Sequence, residues 1–341
     1  MFSLIVLAVL MLPFAIISGI ACFWKSKRAW FFRRMLWSYL AAIPLLFFGF
    51  GPYWVAKRIC RAHSRPMDMR LKETPATYGV QYEAITFQSA DGLHLNGWWI
   101  PPSSKDAILI GTHGLFRTKV ELLARTVDAT KAGYGALLYD SRSHGTSDHG
   151  VVSLGCHEAN DVLGAIRYVQ HRYDGKPAPK IVLMGVSMGA VTTLLAAAQS
   201  SEYAAIIVDS PFSSLEETAV DHAWLFFKLP RYPFTPLFLF WYRQCSGCDP
   251  AWVDSNIAVK HLQPVPILFM GSAGDRRIGA EVARRLYQES DSSMKRIKIF
   301  GADVGHGAAY RLHPNDYSQA LLDFMDQAIS QKAPPTGDGF Q

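Results

Sequence analysis

The chain has 341 residues, half of them apolar and 18% charged, a balance too hydrophobic for intrinsic disorder and long enough for one large domain with an added element. Its net charge of +6 is unevenly placed: residues 1–72 hold eleven Lys/Arg against the single acid Asp68, whereas the remainder holds 23 Lys/Arg against 27 Asp/Glu. A catalytic domain that bound nucleic acid would carry the positive charge itself, so that class is excluded, while cations beside apolar segments suit a membrane surface.

The first 79 residues divide by hydropathy. Phe2–Trp24 and Met35–Ala56 run for 23 and 22 positions without a charge, and a helix needs roughly 20 apolar residues to cross a bilayer. Trp24, Trp30, Trp37, Tyr53 and Trp54 fall near the ends, where amphipathic rings settle at the membrane–water boundary. Pro13 and Pro44 lie inside the stretches, which lipid-embedded helices tolerate better than soluble ones. The first stretch lacks the basic start and small-residue cleavage site of a simple signal peptide. The expectation is a transmembrane hairpin, with helices at 1–24 and 35–56 around a basic loop at 25–34, then a basic linker at 57–79. This describes a two-pass membrane protein anchored by its N-terminal helices. Lys25, Lys27, Arg28, Arg33 and Arg34 argue for a cytoplasmic loop and an external or periplasmic main domain. Lys57, Arg58, Arg61, Arg65, Arg70 and Lys72 argue the reverse. The short, charge-dense loop touches both spans and tilts the reading to external.

From about Tyr82 short apolar runs alternate with helical patterns. Tyr82–Phe87 and Leu93–Ile100 predict an opening hairpin around Asp91-Gly92. Ala107–Ile110, Gly135–Tyr139, Lys180–Met184, Ala204–Val208, Pro266–Met270 and Arg296–Phe300 predict buried strands, and helical patterns lie near 118–132, 155–172, 188–200, 278–289 and 314–331. The fold class is therefore α/β: a mostly parallel eight-stranded sheet over residues 80–331, with helices on both faces. Sites in such sheets sit at the carboxyl ends of the strands. Residues 215–250 break the alternation between the sixth and seventh strands with Trp224, Phe226, Phe227, Tyr232, Phe234, Phe238, Phe240, Trp241 and Tyr242, a cap-like insertion. The tail at 332–341 is rich in Pro and Gly and expected to be loose. Among the five cysteines, Cys245 and Cys248 form a Cys-x-x-Cys pair, which fits unpaired thiols, a local disulfide in an oxidising compartment, or metal chemistry.

The sharpest motif is Gly185-Val186-Ser187-Met188-Gly189, placed between the apolar run Ile181–Met184 and the Ala/Leu-rich pattern from Ala190. A tight strand-to-helix turn there exposes the Ser187 hydroxyl above the sheet, and the flanking glycines allow close backbone approach. A serine hydroxyl is a weak nucleophile at neutral pH and needs a base and a group that orients the base. In the order nucleophile, acid, base, the candidates are Ser187, Asp275 after the run ending at Met270, and His306 in Val304-Gly305-His306-Gly307. Asp209 and Asp303 are rival acids and His313 a rival base. The backbone N–H groups of Met188 and of Leu115, in Gly111-Thr112-His113-Gly114-Leu115, are the candidate oxyanion donors, with His113 shaping that loop. Asp140-Ser141-Arg142-Ser143-His144-Gly145-Thr146-Ser147 is either a substrate loop or a polar turn. Neither the Lys-Ser/Thr of a phosphate loop, nor HExxH, nor a dinucleotide fingerprint occurs, so no metal and no cofactor are expected.

Through His113-Gly114, Asp140–Ser147, Gly185–Gly189, Asp209-Ser-Pro-Phe-Ser, Asp275 and Gly305-His306-Gly307, the sequence resembles the α/β-hydrolase superfamily over about residues 80–330. Within it the sequence is similar to the membrane-tethered branch that holds serine aminopeptidase-like and monoacylglycerol lipase-like proteins. The resemblance implies the α/β-hydrolase fold and a Ser187–Asp275–His306 triad. A serine at the elbow, where dehalogenases and epoxide hydrolases carry Asp, points away from those chemistries. Two departures stand out: Ser143 and His144 where relatives often have Gly, and Arg276-Arg277-Ile278 after Asp275 where they usually have a Val-Pro or Thr-Pro. The expected activity is hydrolysis of carboxylic esters or thioesters of small-molecule or lipid-like acyl substrates. The alternatives are a peptidase on the same triad and a non-catalytic membrane-anchored binding module.

Overall fold

The computed structural model describes residues 28–330 apart from Ser293. The expected span at 1–24 and the tail at 332–341 lie outside the described residues, and with the first span goes the hairpin.

Eight short apolar runs form one sheet: β1 (Glu83–Gln88), β2 (His94–Ile100), β3 (Ala107–Thr112), β4 (Gly135–Tyr139), β5 (Lys180–Val186), β6 (Ala205–Asp209), β7 (Ile267–Ser272) and β8 (Lys295–Phe300). Their order is β1-β2-β4-β3-β5-β6-β7-β8. The β1–β2 and β2–β4 pairs are antiparallel and all others parallel. Central strands β3, β4, β6 and β7 are buried at every position, as strands covered on both faces must be. At the edges the pattern changes. β1 alternates exposed and buried residues, and β8 carries Lys295, Arg296 and Lys298, cations that discourage pairing with another chain.

The helices, in chain order, are α1 (Arg28–Pro44), α2 (Gly51–Cys60), α3 (Pro66–Met69), α4 (Val120–Lys131), α5 (Ala159–Arg172), α6 (Met188–Ala197), α7 (Leu215–His222), α8 (Arg231–Ser246), α9 (Ser255–Ala258), α10 (Ala280–Glu289), α11 (Ala309–Leu312) and α12 (Pro314–Ser330). Alternate strand residues feed two separate cores. Ile108, Ile110 and Leu183 pack with Val162, Ile166 and Leu194 of α5 and α6. Leu109, Val182 and Met184 pack with Leu122 of α4 and Leu321, Phe324 and Met325 of α12. Chain order reverses at β3, whose neighbours β4 and β5 follow it on opposite sides, so a crevice opens beyond the carboxyl ends of β3 and β5.

The chain divides into two compact units, one of residues 59–218 with 248 onward, the other of residues up to Arg58 with Ala219–Gly247. The sheet belongs to the first. In the second, α1 and α2 are joined by a π-helical turn at Leu45–Phe50. Arg33–Cys60 is long and apolar enough to cross a membrane by length and composition, with a mean hydropathy of 1.5. Helix α1 already begins at Arg28, inside the stretch expected to be a loop. Phe48 lies tilted against Phe234 and Tyr53 meets Trp241 edge-on, both at 5.1 Å between centroids, so the aromatic insertion packs on this helix within the unit. Its limits, Ala219 and Gly247, fall just inside the expected 215–250.

One expectation needs correction, and the alternatives left open for Cys245 and Cys248 narrow. The stretch from Ile59 is no mere linker: Ala62, Ser64 and Asp68 are buried in the sheet-bearing unit. The Cys245–Cys248 pair is not a local disulfide either. Cys248 is bonded to Cys156, 92 residues away, and Cys245 is free. Cys245 lies in the last turn of α8, and Gly247 ends that helix in the left-handed conformation, which turns the next residue away from its i−3 neighbour.

Candidate active site

Ser187 stands between β5 and α6 with φ 55° and ψ −117°, a positive φ rare for a residue with a side chain. The turn closes because its neighbours lack Cβ atoms. A Cβ on Gly185 would sit 2.1 Å from the Gly189 carbonyl oxygen, and one on Gly189 would sit 2.1 Å from that of Thr112. Two bonds to the ends of strands steady the elbow: Ser187 N–H donates to Asp209 O at 2.8 Å, and Ser210 N–H to Met270 O at 2.9 Å.

The three sequence candidates come together. Ser187 Oγ lies 2.8 Å from His306 Nε2, and His306 Nδ1 lies 2.6 Å from Asp275 Oδ2. The Asp275 side chain is fully shielded and that of His306 nearly so. Burial pushes the Asp275 carboxyl up, but the His306 contact and the N–H groups of Ile278 and Arg277 outweigh it and hold the group below its ordinary value. Those two N–H groups donate to Oδ1 at 3.0 and 2.8 Å. The segment Arg276-Arg277-Ile278, which departs from the usual pattern of relatives, thus supplies the backbone donors that aim the other carboxylate oxygen at the imidazole.

The rivals are engaged elsewhere. Asp209 is buried, accepting from Tyr317 Oη at 3.0 Å and Ser210 Oγ at 2.9 Å. Its neighbour Arg125, 3.8 Å away, donates through Nη2 to Gly307 O at 2.7 Å and so ties down the loop that carries His306. His313 Nε2 pairs with Asp303 Oδ2 at 3.0 Å on the surface.

The loop after β3 is held almost atom by atom. Gly114 N–H donates to Glu121 Oε2 at 2.7 Å, and Phe116 N–H to His144 Nε2 at 3.2 Å. Ser141 N–H donates to His113 Nε2 at 3.0 Å. Each ring nitrogen that accepts leaves the other to carry the proton, so Nδ1–H of His113 donates to Gly114 O and Nδ1–H of His144 to Arg142 O, both at 2.8 Å. Both histidines are therefore neutral braces, and burial pushes their pKa values down, to about 3 for His144. Among the described residues no acceptor takes the N–H of Leu115 or Met188. The 140–147 segment is a polar turn: Asp140 accepts from Lys119 N–H and Nζ, and Arg142 is paired with Asp161 and Asp91.

Sequence reasoning missed one layer of this site. Ser64 Oγ donates to Arg117 O at 2.6 Å and accepts from Gly145 N–H at 2.8 Å, while Arg65 N–H donates to Phe116 O at 2.9 Å. Asp68 holds Arg117, which in turn holds Glu121. Ala62 packs with Met188, Leu115 and Phe116. The one signal was Asp68 itself, the sole acid among eleven cations.

Comparison with known proteins agrees with this architecture. Residues 103–237 match the family model described as serine aminopeptidase, S33. The chain is 27% identical to the uncharacterized protein YqkD of Bacillus subtilis over 71% of its own length and 79% of that protein's. It is 24% identical to YNL320W of Saccharomyces cerevisiae, described as an uncharacterized membrane protein, over 67% of its own length and 75% of the other's. Among solved structures, the Pyrococcus furiosus esterase PF2001 superposes with a TM-score of 0.63 at 21% identity, over 78% of this chain and 98% of that one, a likeness of fold. The sheet of this strand order, shared with an esterase and overlapped through its centre by a model of serine aminopeptidases, gives the chain the α/β-hydrolase fold.

Proposed function

We propose that the protein is a serine hydrolase that cleaves carboxylic ester or thioester bonds of lipid-like acyl substrates. The observation that carries this reading is the continuous relay from Ser187 Oγ through His306 to Asp275. Ser187 Oγ attacks the acyl carbonyl carbon as His306 Nε2 takes its proton, and Asp275 holds the Nδ1 proton and steadies the imidazolium that results. The carbonyl oxygen becomes an oxyanion between the N–H groups of Leu115 and Met188. Collapse expels the alcohol or thiol, which takes the proton from His306, and leaves an acyl-enzyme. A water molecule, deprotonated by His306, then releases the carboxylic acid and restores Ser187. The apolar helix at Arg33–Cys60 supports a lipid-like substrate, because an enzyme held at a bilayer meets long acyl chains there.

The test is fluorophosphonate labelling of the detergent-solubilised protein. Wild type labels and Ser187→Ala does not, with ester hydrolysis falling by a factor on the order of 10⁴ or more. A folded wild type that fails to label removes the reading. Across esters from acetyl to dodecanoyl, kcat/KM rises with chain length; a flat or falling series removes the lipid-like part alone. The family description favours one second reading, a peptidase on the same three residues. Amino-acid anilides cleaved faster than esters would select it.

A further inference from the structure

The smaller unit has a surface unlike that of a protein domain in water. In residues 28–58 and 219–247 there are eight Lys/Arg and one acid, Asp221. Nine of the 29 residues from Ala219 to Gly247 are aromatic. Packing on Phe48 and Tyr53 occupies Phe234 and Trp241, but it leaves a separate set facing outward. Trp224 is 58% exposed, Phe226 51%, Phe227 54%, Tyr232 69% and Phe240 53%. Side chains of that size are seldom left in water as a group unless the surface has a partner.

The chemistry of the surface identifies the partner. Lys228 Nζ sits 5.3 Å over the Trp224 ring, and the Arg231 guanidinium 5.8 Å over that of Tyr232. Aromatic rings flanked by cations, with little negative charge, are the pattern of segments that lie in the headgroup layer, rings down and cations among the phosphates. At a protein interface lysine is depleted near the apolar centre, whereas here Lys228 sits over the Trp224 ring. The insertion also packs on the helix Arg33–Cys60 through Phe234 and Trp241, and on that helix Trp37, Phe50 and Trp54 are exposed as well. We propose that the 223–246 segment is a second membrane-docking element, which lies in the interface of an anionic bilayer beside the N-terminal helix and keeps the insertion at the lipid surface. This does not depend on any hydrolytic activity.

The full-length protein is reconstituted into vesicles of phosphatidylcholine with phosphatidylglycerol, carrying the photo-crosslinking substitution Phe226→benzoylphenylalanine. Parallel samples carry the same group at Trp37, on the apolar helix, and at Trp252, a ring 65% exposed in the sheet-bearing unit. Irradiation is expected to give lipid adducts at 226 and 37, seen as mass shifts of the corresponding peptides, and none at 252. Adducts at 37 without 226 overturn the proposal while leaving the helix in the bilayer. Adducts at all three overturn it as non-specific, and a crosslinked dimer at 226 overturns it in favour of a second copy of this chain. None of these readouts involves turnover, so they are independent of the serine hydrolase reading.

Discussion

The two compact units obey opposite rules. In the sheet-bearing unit polar groups are buried and paired: Arg142 with Asp161, Lys119 with Asp140, Glu121 with Gly114 N–H, and Asp275 with His306. In the smaller unit large apolar side chains stand outside. Among the described residues it holds twelve of the nineteen large exposed hydrophobics, from Trp30 to Val55 and from Trp224 to Phe240. A unit that folds in water hides apolar surface and satisfies most of the polar groups it buries. One built to face lipid need not hide its rings. The two should therefore answer differently to mutation, the first through lost partners and the second hardly at all when lipid is absent.

The largest effect is expected at Asp275. Asp275→Asn keeps the volume but removes the charge that holds His306 Nδ1–H, so kcat should fall by about 10³–10⁴ with little change in thermal stability. An unchanged kcat would mean that another acid serves His306. Next is the loop of the proposed oxyanion hole. Leu115→Pro deletes one N–H and should lower kcat by about 10²–10³, while Leu115→Ala, which keeps it, should stay near wild type. Equal losses in the two variants would make the side chain, not the N–H, the functional group.

A smaller effect concerns acid stability. Folded His113 and His144 have pKa values below the ordinary 6.5, so in the unfolded chain they take up protons that the fold refuses. Stability should fall as pH drops below about 6.5, by roughly 1.4 kcal/mol per pH unit for each histidine, and for His144 the loss continues until about 3. Urea unfolding of His144→Gln, whose amide oxygen can still accept from Phe116 N–H, should show a correspondingly shallower slope between pH 4 and 6; an identical slope would contradict a neutral His144. The smallest effect lies in the other unit. Phe227→Ser, half exposed, should shift stability in detergent by no more than about 0.5 kcal/mol. A loss of several kcal/mol would mean that the ring is buried against protein, and the comparison of the two units would fail.

Much of the fold was legible in local sequence. Each of the eight strands fell within two residues of a run read between Tyr82 and Phe300, because the central strands are nearly continuous in apolar residues. Glycine spacing marked the elbow, since Gly185 and Gly189 stand where any side chain would collide with backbone. Other features left no local trace. The disulfide joins Cys156 to Cys248 rather than to the adjacent Cys245, and spacing does not encode pairing across 92 residues. The strap of Ala62, Ser64 and Asp68 looked like a basic linker because cations dominate its composition, while its work is done by three small or acidic side chains.

By itself, then, the sequence determined which segments become strands and helices, where the Ser187 turn falls, and which stretch is apolar enough to enter a bilayer. These are consequences of periodicity, backbone sterics and transfer from water, all of which act over a few residues. Only the tertiary structure decided which carboxylate meets His306, which cysteine meets Cys248, and which backbone N–H groups near Ser187 are left without an acceptor. Those outcomes depend on how strand ends far apart in the chain are brought within hydrogen-bonding distance, which no single segment specifies.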